Sequence, residues 1–263
     1  MALAGLSEFM QVFVLVVFRL GGMMLFAPFF GSAKVPRRMK VLLTLVLAVG
    51  MCPGVKLPPG IDTLSSWQLA IGIAGELIFG FAMGMILSFV FIAGQWAGEL
   101  IGQQMGLNMS EVFDPQFGQA GSLVGDMYFM LTLVIFLAMR GHYAILHSVR
   151  ASFDALPLLS VGMSKPLFAL LIGLFTSCTT LAIQLAGPMI VTMLVVDLAL
   201  GAISKTMPQI NVMTAGLTMR SMVGLVVLIV GISLTVAVLQ GAMKSSGAVA
   251  DKKWSTPAMQ QVQ

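Results

Sequence analysis

Six ionisable side chains lie inside otherwise apolar stretches of this sequence, and they are the residues with the clearest potential for chemistry. A charge at the centre of a bilayer costs about 2.5–3.5 kcal/mol, so such residues generally face a partner or a water-filled cavity. They either pair with one another and hold a helix bundle together or carry a proton or an ion, and pairing is the favoured interpretation. The six residues are Arg19, Glu76, Glu99, Asp126, Asp197 and Arg220.

Spacing predicts one of these pairs. Residues 204–216 have the composition of a turn, and Pro208 is expected to end the preceding helix. Asp197 precedes Pro208 by 11 residues and Arg220 follows it by 12. In an antiparallel hairpin that turns around Pro208, the two charges would lie at similar depth. We therefore expect a buried ion pair between Asp197 and Arg220.

Catalytic and metal-binding patterns are absent from the sequence, which has no P-loop, HExxH, GxSxG or CxxC motif. His142 and His147 are the only histidines, and His142 stands near Arg140, where an interfacial hydrogen bond is expected. Cys52 and Cys178 are far apart in the sequence and indicate neither a disulfide framework nor a metal site. We expect no enzyme, no cofactor and no metal.

The composition is that of an integral membrane protein. Of the 263 residues, 58% are hydrophobic and only 9% are charged, whereas soluble domains carry about 25% charged residues. The net charge of +4 includes one cluster at residues 34–40, which favours contact with the cytoplasm or lipid headgroups over nucleic acid. The N-terminal segment has no basic start and contains Arg19, so we expect a retained membrane segment.

Six apolar runs and one weaker amphipathic segment organise the chain. Only helices and closed barrels satisfy the backbone in lipid, and no barrel-like alternation occurs, so we expect an all-α fold. Two runs are about twice the ~20 residues of a simple span, and one contains Pro188, which is expected to kink or break its helix. Counting the short second run as a span conflicts with the positive-inside rule, and both topologies stay open. The segments are Phe9–Phe30, Met39–Cys52, Trp67–Gly106, Leu123–Met139, Ala144–Leu156, Pro166–Ser204 and Ala215–Met243.

Glycines recur at every fourth position in the third run. Small residues at this spacing make a shallow groove in which a second helix, from the same chain or from another subunit, can approach closely. A polar stripe lies one residue, or about 100°, further round the same helix. The glycine ladder is Gly94, Gly98, Gly102 and Gly106, the earlier pair is Gly80 and Gly84, and the polar stripe is Gln95, Glu99 and Gln103.

A loop with large apolar side chains follows the ladder. Asp114-Pro115 and Gly118 are turn formers, yet an ordinary connecting loop would not carry Met and Phe. These side chains could close around a gap because Met adapts its shape. The alternative is a re-entrant or packed loop. The residues concerned are Leu107, Asn108, Met109, Val112, Phe113, Asp114, Pro115 and Phe117.

Four separated motifs stand out along the chain. They are RLGG, APFFG and VPRRMK within residues 19–40, GELIGQQMGL with a following DP and G within 98–118, RGH at 140–142, and DLALGAISKTMPQINV at 197–212. In this order and spacing, from about residue 10 to residue 240, they resemble the FliR family. These are flagellar biosynthetic membrane proteins, with SctT-type counterparts in virulence type III secretion.

The resemblance implies long kinked helices and helical hairpins packed in a helical export-gate assembly. A FliP-like part would span residues 1–184 and include a plug loop at 107–118, in which Phe113 and Asp114-Pro115 match the family best. A FliQ-like hairpin would span 185–243, followed by a flexible tail at 244–263. The implied partners are FliP-like and FliQ-like subunits, an FlhB-like switch protein, export substrates in transit and membrane lipid, with no nucleic acid.

We therefore expect a structural and gating subunit of the flagellar type III protein export gate, in the bacterial inner membrane at the flagellar basal body. It would perform no chemistry, and its partners would supply the energy. One alternative is the homologous subunit of a virulence secretion system. Another is a secondary transporter of small solutes, whose expected sign is repeated halves around a midplane site; no convincing repeat is present.

Overall fold

The computed structural model describes residues 2–27, 36–55, 61, 65–107, 122–159, 165–206 and 212–254. Within these ranges the chain is helical and contains no β-strand, which confirms the predicted all-α fold. A 3-10 turn at Cys52–Gly54 follows the second helix. The α-helices are α1 (Ala2–Phe26), α2 (Arg37–Met51), α3 (Ser66–Gln104), α4 (Leu123–Ala138), α5 (Gly141–Ala155), α6 (Lys165–Thr206) and α7 (Val212–Trp254).

The two long apolar runs each form one long helix. Helix α3 has 39 residues without interruption, which corresponds to about 60 Å at ~1.5 Å per residue. Helix α6 has 42 residues and continues through Pro188, so the helix is not broken there. Because proline has no N–H, Pro188 leaves the carbonyl of Gln184, four residues earlier, without its usual helical donor. Membrane helices tolerate such a proline when neighbouring groups satisfy the freed carbonyl.

Four described helices contain a segment long and apolar enough to cross a membrane. The segments are Phe9–Phe26, Ser66–Ile86, Ile172–Thr206 and Gly216–Ser246, and a fifth is obtained if α4 and α5 count as one interrupted span. The 15-residue α2 is not among them. The apolar helices agree with the predicted integral membrane protein.

The chain forms two compact units, each built from separate stretches of sequence. The first unit comprises Met1–Phe89, Met139–Leu174 and Lys244–Gln263. In it, α1 and the first part of α3 approach closely at Gly22, Gly80 and Gly84. A Cβ atom at any of these positions would collide with the backbone of the facing helix. The glycines therefore set the distance between α1 and α3.

The second unit comprises Val90–Ala138 and Phe175–Met243. The later part of α3 packs here against α4, and the Phe91 ring lies 5.7 Å from that of Phe129 and 5.5 Å from that of Phe136. Helix α7 up to Met243 also belongs to this unit and contacts the end of α3. The predicted division at residues 184 and 243 rests on resemblance to FliP and FliQ and not on compactness, and it stays a prediction.

Candidate functional site

The first site is a buried ion pair in the first unit. Arg19 on α1 is 1% exposed and Glu76 on α3 is 0% exposed. The Arg19 Nε atom donates to Glu76 Oε2 at 2.5 Å. The pair forms because Gly22 and Gly80 lie within one turn of the two charges and let the helices approach. The sequence expectation that Arg19 faces a partner matches this contact.

Arg19 also caps the C-terminal end of α5. Its Nη1 atom donates to the Ser152 and Leu156 carbonyls at 3.3 and 3.2 Å, and its Nη2 atom donates to Leu156 at 3.3 Å. The Ser152 carbonyl also accepts from the Leu156 N–H, whereas the Leu156 carbonyl lies at the C-terminal cap, where helix carbonyls lack a donor within the helix. A cation is favourable at this negative end. Arg19 thus satisfies a buried helix end that water cannot reach.

Glu76 has a matching task on the other side of the pair. Its Oε1 atom accepts a hydrogen bond at 2.8 Å from the backbone N–H of Leu159. Leu159 has a left-handed φ of 63°, and its side chain lies where a Cβ atom on Gly72 would be. The carboxylate therefore holds the chain beyond α5 in an unusual conformation.

Two aromatic rings complete the first site. The Arg19 guanidinium lies 4.9 Å from the centre of the Phe79 ring and 4.7 Å from that of Phe153. Such cation–π contacts strengthen when they are desolvated. Both carboxylate oxygens of Glu76 and all three nitrogens of the guanidinium have protein partners. This arrangement joins α1, α3 and α5, and it suits a structural role better than proton or ion transfer.

The second site is the end of α3 in the second unit. The Gly106 N–H donates to the Gln103 carbonyl and the Leu107 N–H donates to the Gly102 carbonyl, both at 3.0 Å. Gly106 has a φ of +74°. This pair of bonds around a left-handed glycine is the Schellman motif, which ends helices. Gly106 therefore stops α3 at the residue where the Met/Phe loop begins.

Helix α7 clamps this end. Ser221 Oγ donates to the Met105 carbonyl at 3.0 Å, and the Met105 side chain occupies the space that a Cβ on Gly224 would need. The Leu217 side chain covers Gly106 in the same way. One hydrogen bond from a side chain to the backbone and two side-chain contacts thus hold the last residues of α3 against α7.

Comparisons with known proteins show the family of this chain. The family described as bacterial export proteins, family 1, matches residues 10–246. The chain belongs to this family. It is 28% identical to the flagellar biosynthetic protein FliR of Bacillus subtilis over 239 residues, which are 89% of this chain and 90% of that protein. Identity is 28% to FliR of Aquifex aeolicus, over 87% of this chain and 88% of that one.

A relative with a different name is also similar to this export protein. The surface presentation of antigens protein SpaR of Shigella flexneri is 24% identical over 82% of each chain. The predicted resemblance to the FliR family and the predicted role in protein export are confirmed. The relatives are named as biosynthetic or presentation proteins and none is named as an enzyme.

Four other predicted charges of the export protein are less buried than Arg19 and Glu76. Arg220 and Asp197 form an ion pair at 2.7 Å, with side chains 40% and 39% exposed. Glu99 is half-buried and accepts a 3.3 Å hydrogen bond from Gln95. Asp126 is exposed in the first turn of α4, where a carboxylate suits the helix dipole. The chain alone does not bury these four charges, so their burial by lipid or partners stays a prediction.

The ladder glycines have two different local roles. A Cβ at Gly94 would meet Thr132 Oγ1 at 2.6 Å, and one at Gly98 would meet the Val124 carbonyl oxygen at 2.5 Å. These two positions are thus filled by α4 of the same chain. Gly102 is buried and accepts the bond that closes the Schellman motif. Gly106 serves as the helix terminator and not only as a packing position.

Of the predicted plug residues, only Leu107 is described, and its side chain is 40% exposed. Asn108, Met109, Val112, Phe113, Asp114, Pro115 and Phe117 lie outside the described residues.

Metal and thiol chemistry find little support in the described ranges. No group of three or more His, Cys, Asp or Glu residues there could hold a metal ion. Cys52 and Cys178 are free thiols, and both are buried. Burial raises the pKa of the Cys52 thiol above its ordinary value, which keeps it in the unreactive protonated form.

Proposed function

We propose that this export protein is a structural and gating subunit of the flagellar type III protein export gate. It would act in the bacterial inner membrane, at the flagellar basal body, and without enzymatic chemistry of its own. Its partners would be FliP-like and FliQ-like subunits and an FlhB-like switch protein, with unfolded export substrates in transit. The names of the relatives support the flagellar assignment, since those from Bacillus subtilis and Aquifex aeolicus are flagellar biosynthetic proteins.

The observation that carries the gating role is the clamped end of α3. A loop that closes a passage needs a base that does not move with it. Gly106 ends the helix with a left-handed turn, and Ser221 and Gly224 hold Met105 against α7. Leu107, which directly follows Gly106, is exposed. We infer that the loop 107–118 projects from this fixed base and seals the conduit with its Met and Phe side chains until a substrate displaces it.

The exposed surface of the last two helices supports the structural role. The apolar segments of α6 and α7 are only 17% buried within the chain. Leu198 is 69% exposed and Val230 is 75% exposed. An apolar face of this extent needs lipid or a neighbouring subunit to cover it. We infer that the hairpin within 185–243 packs in the assembly as a FliQ-like element, next to the FliP-like part at 1–184.

Deleting residues 108–117 tests the plug role, because Leu107 and Gly118 then remain to join the flanking segments. In complexes that assemble with normal stoichiometry, the deletion should make membrane vesicles permeable to small ions. A matched variant that replaces the same ten residues with Gly and Ser keeps the loop length but removes its apolar groups, and it should leak as well. Vesicles that stay tight with both variants in assembled complexes would rule out the plug.

A second candidate function is the homologous subunit of a virulence secretion system. The similarity to SpaR of Shigella flexneri favours keeping it. Deleting the gene separates the two functions, since loss of motility indicates the flagellar system. Motile cells that no longer secrete virulence substrates would indicate the other.

A further inference from the structure

A groove of about 330 Å³ runs between α1 and α2 in the first unit. Binding sites for small molecules have volumes of about 300–1,000 Å³, so the groove suits one narrow apolar chain. Among the described lining residues, Thr44 has the only hydroxyl, which donates to the Lys40 carbonyl at 2.8 Å, and Lys40 has the only charge. The lining residues are Val17, Phe18, Gly21, Met24, Leu25, Lys40, Val41, Thr44, Leu45 and Leu77.

Three cations crowd the start of α2, at one end of this groove. Arg37, Arg38 and Lys40 fall in its first four residues, and α2 contains no acidic residue. Arg37 and Lys40 are three residues apart, so they share a face and repel each other. Cations at the positive N-terminal end of a helix are also unfavourable. Clusters of cations of this kind attract anionic headgroups.

The backbone at the start of α2 favours the same kind of anion. The N–H groups of Met39 and Lys40 turn back to the Pro36 carbonyl, so the helix itself does not use those of Arg37 and Arg38. Helix N-termini of this kind bind phosphate groups. The apolar groove and the phosphate-seeking helix start therefore adjoin each other at Lys40.

We propose that this groove binds one acyl chain of an anionic glycerophospholipid whose phosphate is held by Lys40 and Arg37. Basic pockets between membrane helices hold anionic headgroups in this way. The apolar segment of α1 ends at Phe26, and α2 begins shortly afterwards, which puts Lys40 near headgroup depth. The proposal is independent of the plug.

Two glycines allow a matched test. Gly21 lines the groove and a Cβ built there meets nothing within 4 Å, so the side chain in Gly21→Leu fills the groove without a backbone clash. Gly50 lies on α2 outside the groove, and its Cβ position is equally open. Gly50→Leu is therefore the control for steric bulk. Lys40→Ala removes the groove cation, and Lys205→Ala, at the exposed end of α6, is the control for net charge.

The experiment measures lipid retained by the full chain purified with its partner subunits from nanodiscs of phosphatidylglycerol and phosphatidylcholine. The wild type should retain phosphatidylglycerol preferentially. Lys40→Ala should bind phosphatidylglycerol about fivefold more weakly, the effect of one cation near a charged headgroup. Gly21→Leu should lose the bound lipid of either headgroup, while Gly50→Leu and Lys205→Ala should match the wild type.

Three outcomes would overturn the proposal. Equal retention of both lipids by the wild type would show that the site does not recognise an anionic headgroup. Unchanged lipid retention by Gly21→Leu would show that no acyl chain lies in the groove. Thermal stabilisation by inorganic phosphate equal to that by phosphatidylglycerol would indicate a phosphate site without a lipid. A photoreactive residue at Leu45 should capture lipid in the assembled complex, and capture of a partner subunit instead would show that protein fills the groove.

Discussion

The buried pair of Arg19 and Glu76 supports the sharpest prediction, because its energy can be worked out from the contacts. Glu76→Ala would leave an almost fully buried guanidinium without its counter-charge, and breaking a buried pair in this way costs about 3–5 kcal/mol. The Leu159 N–H would lose its acceptor as well, at a smaller further cost because this hydrogen bond is only partly buried. Domains are stable by about 5–15 kcal/mol, so Glu76→Ala should remove much of the stability of the first unit.

The measurements are the amount of protein accumulated in the membrane and the thermal unfolding of the detergent-solubilised chain. Glu76→Ala should barely accumulate. Glu76→Gln should lie between Glu76→Ala and the wild type, since its amide oxygen can still accept from Leu159 but carries no charge. Normal accumulation and unfolding of Glu76→Ala would refute the assigned energy.

Exchanging the two charges tests the geometry as well as the energy. Arg19 donates to the carbonyls of Ser152 and Leu156, and Glu76 accepts from the Leu159 N–H. The double variant Arg19→Glu with Glu76→Arg would place a carboxylate against carbonyls and a guanidinium against an N–H. It should be as unstable as Glu76→Ala, although the pair is formally kept. A rescued double variant would mean that the backbone partners do not orient the pair.

Three further predictions concern the second unit. Asp197→Ala and Arg220→Ala should each lower accumulation, since an unpaired charge in lipid costs up to about 2.5–3.5 kcal/mol; exchanging the two charges should restore accumulation, and a swap as damaged as the single variants would exclude the pairing. Gly98→Leu should lower the thermal unfolding temperature, at an overpacking cost of about 1–3 kcal/mol or more, whereas Gly201→Leu, at an open position, should not. Equal unfolding temperatures of the two variants would contradict the α3–α4 contact. Gly106→Val should destabilise by about 1–3 kcal/mol because Val is strained at positive φ, whereas Gly106→Asn should cost less in the same unfolding assay; equal effects would exclude the left-handed turn.

Much of the fold follows from the sequence because lipid leaves the backbone few choices. The apolar run Trp67–Gly106 indicated a helical stretch about twice as long as a simple span, and α3 covers Ser66–Gln104 as one helix. Counting from Pro208 placed Asp197 beside Arg220, and they lie 2.7 Å apart. Both predictions use local order, namely the length of an apolar segment and the register of a hairpin.

The partners of Arg19 were not predictable in the same way. Three of its four hydrogen bonds go to backbone carbonyls more than 130 residues away, and a backbone carbonyl leaves no signature in residue type. The hydrogen bond from Ser221 to the Met105 carbonyl was not predictable for the same reason. One missed feature did leave a signal: a glycine that ends a long apolar helix before a loop is the usual sign of a Schellman motif, and Gly106 fits it.

Glycine spacing in α3 explains why the two kinds of site share one helix. Gly80 lets α1 approach in the first unit, next to Glu76, and Gly98 lets α4 approach in the second unit. A long helix with bulky residues throughout would keep both neighbours at an ordinary interaxial distance of about 8–10 Å, and the short Glu76 side chain would then reach Arg19 less directly. The absence of side chains at Gly80 and Gly98 thus brings a charge to its partner in the first unit and lets α4 pack closely in the second.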